Sequence, residues 1–165
     1  MIKKVLLLAA LILPMFASAQ TLKIGVVDSS EIFAAMPETA AAQKTLQEYN
    51  SKYETEYNNL VAEMERQYKD FQAMPETELP AIKERKAREL QDTQQKIQAF
   101  EQNAMNDIQK KQEELMAPIM QKIKDAIESV GKEGGFSLIQ EAQSQLFVGA
   151  PVENITPKVK SKLGL

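Results

Sequence analysis

The sequence predicts an α+β fold in which a long antiparallel helical hairpin, a tentacle, projects from a small β-sheet base. Three observations carry that expectation. No glycine occurs from Pro37 to Val130, a stretch rich in Ala, Gln, Glu and Lys, which is the composition of long helices. Two prolines, Pro75 and Pro80, divide the stretch near its middle, where a helix has to break. Short apolar, β-branched runs flank it on both sides, as strands of a base would.

In chain order, Met1-Ile-Lys-Lys is followed by the apolar run Val5 to Phe16 and by Ala17-Ser-Ala19. A charged start, a short apolar stretch and small residues at −3 and −1 predict a secretory signal peptide, residues 1–19, cleaved after Ala19. Twelve residues interrupted by Pro14 reach about 18 Å as a helix, short of a bilayer core of about 30 Å. Gln20 follows the cleavage point and is not Cys, so no lipid attachment is expected. Removing Lys3 and Lys4 with the leader moves the net charge from −3 to −5. A mildly acidic exported chain has no basic excess for phosphate backbones, which argues against nucleic acid as a partner.

Leu22 to Asp28, LKIGVVD, reads as a strand. Asp28 or Ser29 suits a helix N-cap, with Glu31 in capping-box spacing, and a brief helix over Ser30–Ala35 follows. Beyond Pro37, Leu46, Tyr49, Tyr53, Tyr57, Leu60, Met64, Tyr68 and Phe71 fall three or four residues apart, drawing a narrow stripe on one helix face. Ile82, Leu90, Ile97, Phe100, Met105, Ile108 and Leu115 continue in helical phase on the return. The arms, 38–73 and 81–117, are nearly equal and reach roughly 55 Å each. Equal arms around a proline turn favour a hairpin over a parallel coiled coil of separate chains.

Pro118 is expected to interrupt and bend the return arm where it meets the base. Ile119, Ile123, Ile127 and Val130 continue an apolar face, and Gly131 and Gly134-Gly135 are expected to stop the helix. Phe136–Glu141 and Gln145–Val148 read as a β-hairpin. Thr156 as N-cap with Pro157 behind it predicts a short last helix to about Leu163. The base therefore comprises residues 20–36 and 119–165, and the tentacle 37–118. Ile24, Val26, Phe33, Phe136, Leu138, Leu146 and Val148 are its candidate oligomer contacts. So small a base buries little surface alone, and association between copies is expected.

Whole reaction classes are absent from this composition. Without His, Cys or Trp there are no zinc-finger or iron–sulfur ligands, no thiol nucleophile, no His base and no disulfide. Neither a cofactor, a metal nor catalysis is expected. Asp28-Ser29-Ser30-Glu31 can be drawn as a site, yet capping explains all four residues.

The cleaved leader, KIGVVDSSEIF, the glycine-free hairpin, LMAPIMQKIKDAIESVGKEGGFSLIQE and the final NIT-Pro helix together resemble the Skp/OmpH family of periplasmic chaperones over residues 22–163. The resemblance implies a homotrimer whose β-rich bases join while three hairpins surround a cavity. It also implies a function: holding unfolded outer-membrane proteins without ATP. No glycine-rich phosphate loop is present, in keeping with passive holding. The best-known members are basic. Here positions 63–89 carry seven acids against six bases, so membrane-surface contact through the tips stays open.

The candidate client-binding residues are Tyr49, Tyr53, Tyr57, Met64, Tyr68, Phe71, Met74, Ile97, Phe100 and Met105. The same stripe has a second reading, as the seam between the arms. Methionine suits either role. Lys83, Arg85, Lys86 and Arg88 read as a solvated helix face, and the repeat Ala35-Met-Pro-Glu-Thr39 and Ala73-Met-Pro-Glu-Thr77 as shared turn chemistry. The alternative function is an exported coiled-coil tether or adaptor of the cell envelope.

Overall fold

The computed structural model describes residues 22–165, so the expected leader lies outside the described residues. Strand β1 (Ile24–Val27) leads into helix α1 (Ser29–Ala35) and then the long helix α2 (Pro37–Gln72). A tip turn precedes α3 (Pro80–Glu133), followed by β2 (Leu138–Glu141), a 3-10 turn (Ala142–Ser144), β3 (Glu153–Asn154) and α4 (Thr156–Leu163).

The strands form one parallel sheet in the order β2-β1-β3. Ile24 pairs with Leu138 and Val27 with Glu141, while Gly25 and Val26 face Glu153 and Asn154. This corrects the expected β-hairpin. Gln145–Val148 forms no strand; Gln145 N–H closes the 3-10 turn onto the Ala142 carbonyl instead. The chain then loops past Pro151 to lay β3 along the opposite edge of β1. Two polar residues, Glu153 and Asn154, carry no strand pattern of their own.

Asp28 caps α1, its Oδ1 accepting from Glu31 N–H at 2.9 Å. The capping box is only half formed, because the Glu31 side chain turns to Lys160 and Asp28 N–H donates to Thr156 Oγ1 at 2.9 Å. Thr156 is therefore no N-cap, contrary to expectation. Ile155 holds that position without a side-chain bond, and Thr156 N–H donates to Asn154 Oδ1. Helix α4 ends on Gly164, whose φ of +79° lies in the left-handed region that glycine enters without a Cβ clash.

Pro118 does not end helix α3, which runs on to Glu133. Pro118 is exposed, so water can serve the carbonyl its missing N–H leaves free. Gly131 does not stop the helix either; Gly134 does. Gly131 is buried where β2 crosses the helix, and a Cβ there would meet Ile139 Cδ1 at 2.9 Å.

The core sits in the base. Val27, Ile32, Met36, Ala42, Ile119, Ile123, Ala126, Val130, Ile155 and Val159 are buried together, with Phe33, Leu115, Ile127, Phe136 and Ile139 packed around them. Positions 119, 123, 126 and 130 recur at helical spacing, which turns one face of α3 onto the sheet and α4. Three lysines of α4 then tie that helix to three other elements: Lys158 to Glu153, Lys160 to Glu31 and Lys162 to Glu133.

Two outcomes follow from this packing. Truncating Ile123→Ala, with its side chain fully enclosed, costs about 2–5 kcal/mol, read as a lower midpoint in urea unfolding. The hydrogen bond from Lys162, joined by Ser129, holds the Glu133 carboxyl below the ordinary glutamate value; that from Lys158 does the same for Glu153, and that from Lys122 for Glu38. Values depressed in the folded state stabilise it at neutral pH, and this contribution disappears as pH falls below about 4. Thermal melting followed by circular dichroism should show a lower midpoint at pH 3 than at pH 7, with a smaller difference in Glu133→Gln.

Candidate functional site

Helices α2 and α3 lie antiparallel and touch along their length. Glu38 pairs with Lys122, Tyr53 with Asp107, and Gln67 with Thr93. From the first pair to the second is fifteen residues on both arms, and from the second to the third fourteen on both. One register therefore holds from base to tip, tied at intervals by polar contacts.

The seam between these ties is thin. Past Ala42, α2 buries no residue, and α3 buries only Thr93, Ile97 and Ala104 before Ile119. Tyr49, Tyr53, Tyr57, Met64, Phe71, Met74 and Phe100 are half-buried, facing the opposite arm on one side and water on the other. Tyr68 and Met105 leave the seam, at 53% and 68% exposure. Most of the sequence-predicted stripe is thus brought together along the hairpin, and those two point outward.

Thr93, Gln67 and Ala104 are seam residues that apolar counting passes over. The Thr93 hydroxyl has Gln67 Oε1 at 2.9 Å and the Glu89 carbonyl at 3.0 Å as acceptors. Their signal was periodicity: Gln67 falls between Met64 and Phe71, and Thr93 between Leu90 and Ile97, at steps of three and four, and Ala104 lies four residues from both Phe100 and Ile108.

Midway along the arm the aromatic residues gather. Tyr49 and Tyr53 meet edge to face at 5.2 Å between centroids, and Tyr53 leans on Phe100 at 5.8 Å. The Tyr53 hydroxyl donates to Asp107 Oδ2 at 2.9 Å and lies 3.3 Å from that of Tyr49. Because Ala104 is small, a groove of about 490 Å³ opens there, lined by Asn50, Tyr53, Glu54, Tyr57, Phe100, Glu101, Ala104, Met105 and Ile108. A second groove of about 470 Å³, nearer the tip, is lined by Met64, Glu65, Tyr68, Ala87, Leu90, Gln91 and Gln94. Both are open troughs on a rod, suited to holding an apolar side chain of another molecule while the rest of that molecule stays outside.

At the base, Val26 is buried in β1, while Ile24, Phe33 and Phe136 are half-buried. Lys23 Nζ sits 4.1 Å over the Phe136 ring and donates to the Gly134 carbonyl at 2.9 Å. Leu138, Leu146 and Val148 are exposed, Leu146 entirely so. Phe147, which the sequence reading passed over, is 86% exposed beside them. Three consecutive apolar side chains in water form an exposed patch. Among the described residues no cluster of acids could hold a metal ion, and no helix is long and apolar enough to cross a membrane.

A slender helical arm with apolar troughs, anchored on a small parallel sheet, defines a binding protein of hairpin-and-base type. The chain belongs to the OmpH family, described as outer membrane protein (OmpH-like), which matches residues 23–163. It is 29% identical over 163 residues to the chaperone protein Skp of Yersinia enterocolitica, covering 95% of this chain and 96% of that one. Its fold is similar to the crystal structure of a candidate outer membrane chaperone (OmpH-like) from Caulobacter crescentus CB15. That match has a TM-score of 0.73 and 15% identity, and covers 85% of this chain and 82% of the other.

Hydrogen bonds with Tyr49 and with the Asp107 carboxylate raise the Tyr53 phenol above its ordinary ionisation range. Alkaline titration followed by ultraviolet absorbance should therefore show a late phase that Tyr53→Phe removes. Absence of a late phase in the wild type would mean that Tyr53 and Asp107 do not meet in solution, and a late phase surviving in the variant would assign it to another tyrosine.

Proposed function

We propose that this chain is an ATP-independent periplasmic holdase that keeps unfolded outer-membrane β-barrel proteins from aggregating, and that it works as a homotrimer. The observation that carries the reading is the thin seam: between Ala42 and Ile119 only Thr93, Ile97 and Ala104 are buried. Half-covered aromatic and methionine side chains offer weak, dispersed contacts that shield a client without trapping it. Membership of the OmpH family and the likeness to a chaperone protein support it.

In this reading the leader, residues 1–19, directs export, the base trimerises, and the tentacle, 37–118, holds the client. Tyr49, Tyr53, Tyr57, Met64, Tyr68, Phe71, Met74, Ile97, Phe100 and Met105 divide the work. Tyr68 and Met105 face outward for contact, Ile97 secures the seam, and the half-buried remainder does both. In the base, Leu138, Leu146 and Val148, together with Phe147, meet a neighbouring copy, while Ile24, Val26, Phe33 and Phe136 support the sheet from within. No catalytic step is part of this mechanism. The tether reading asks for tightly packed heptads, and three buried residues along the arms do not supply them.

Two measurements test the proposal. The mature protein, mixed with a β-barrel client diluted from urea, should suppress light scattering by aggregates at about one trimer per client; unchanged scattering in excess protein would reject the holdase. The double variant Leu146→Ser with Phe147→Ser removes side chains that the isolated fold leaves exposed. Its circular dichroism should be preserved while its mass by light scattering falls from trimer to monomer.

A further inference from the structure

The mid-arm groove carries charge of one sign. Its floor is Tyr53, Tyr57, Phe100 and Ala104, and its only charged lining residues are Glu54 and Glu101. Among the described residues neither acid forms an ion pair, although ten such pairs occur elsewhere. Two unneutralised carboxylates beside an apolar, aromatic trough complement a ligand that is apolar and cationic at once.

We infer that this groove binds an extended client segment in which an apolar side chain is followed, at two-residue spacing, by Arg or Lys. The inference rests on the holdase reading and names the kind of segment held there. In an extended chain, residues i and i+2 point the same way about 7 Å apart, so one segment presents both groups to the same trough. The apolar side chain lies on Phe100 and Ala104, with the unbranched Met105 side chain adapting its shape beside them. The cation meets Glu54 or Glu101, and an Arg also stacks on the neighbouring tyrosine faces. Because both acids are exposed, the electrostatic part is modest, reversible and weakened by salt, which suits a protein that must let its client go.

The test uses fluorescent unstructured peptides of roughly twelve residues, long enough extended to reach about 40 Å, built from Phe-Ser-Arg-Ser or from Phe-Ser-Glu-Ser repeats, so that Phe and the charged residue stand two positions apart on one face. Fluorescence anisotropy on the full mature chain should show the Phe/Arg peptide binding more tightly than the Phe/Glu peptide. Glu54→Gln with Glu101→Gln should weaken the Phe/Arg peptide about fivefold, the scale of two exposed ion pairs, and leave the Phe/Glu peptide no weaker. The double variant Glu76→Gln with Asp92→Asn removes the same charge away from the groove and should leave the preference intact. Equal loss in both double variants would make the effect one of net charge and overturn the inference. So would an absence of preference in the wild type. A wild type that ignores both peptides yet suppresses client aggregation would reject the groove alone, whereas failure in both assays would reject the holdase with it.

Discussion

The parallel pairing of β1 with strands from the far end of the chain is the constraint on which the rest depends. Val27 lies beside Glu141 and Val26 beside Asn154, so the two ends of the helical excursion have to return to one place. Closing so long a loop costs conformational entropy, and the hairpin reduces that cost by bringing Glu38 and Lys122 together from its own pairing. Sheet and hairpin thus support each other. The buried cluster records this, since it draws on β1, α1, both long helices and α4.

The arms separate register from stability. Glu38–Lys122, Tyr53–Asp107 and Gln67–Thr93 fix which residues face each other, while few side chains between them are removed from water. Polar ties of this kind add little net stability, yet they penalise a slipped register that would leave them unmade. The arm therefore stays aligned without becoming a closed coiled coil. Its aromatic side chains remain half-covered along most of its length.

The repeated pentapeptide shows how far local pattern reaches. At 35–39, Met36 and Thr39 are buried where α1 passes into α2, and Pro37 opens the helix. At 73–77 the same letters make the exposed tip turn, with Met74 only half-buried. Turn chemistry was legible in both copies. Burial in one and exposure in the other come from what lies alongside: the base core at one end, solvent at the other.

The span of α2, the tip, the short α1 with its Asp28 cap and the seam face were set by the sequence alone, because glycine, proline, capping residues and apolar spacing act within a few residues. The strand connectivity was not. Glu153–Asn154 pairs with β1 only because α4 and the loop before it bring two polar residues to a free edge, and Leu146-Phe147-Val148, apolar enough to be a strand, finds no edge and stays in water. The continuity of α3 through Pro118 and Gly131, and the bond that takes Thr156 from capping to Asp28 N–H, were likewise decided by packing. Short-range energies choose elements, but contacts between residues more than a hundred positions apart choose their partners.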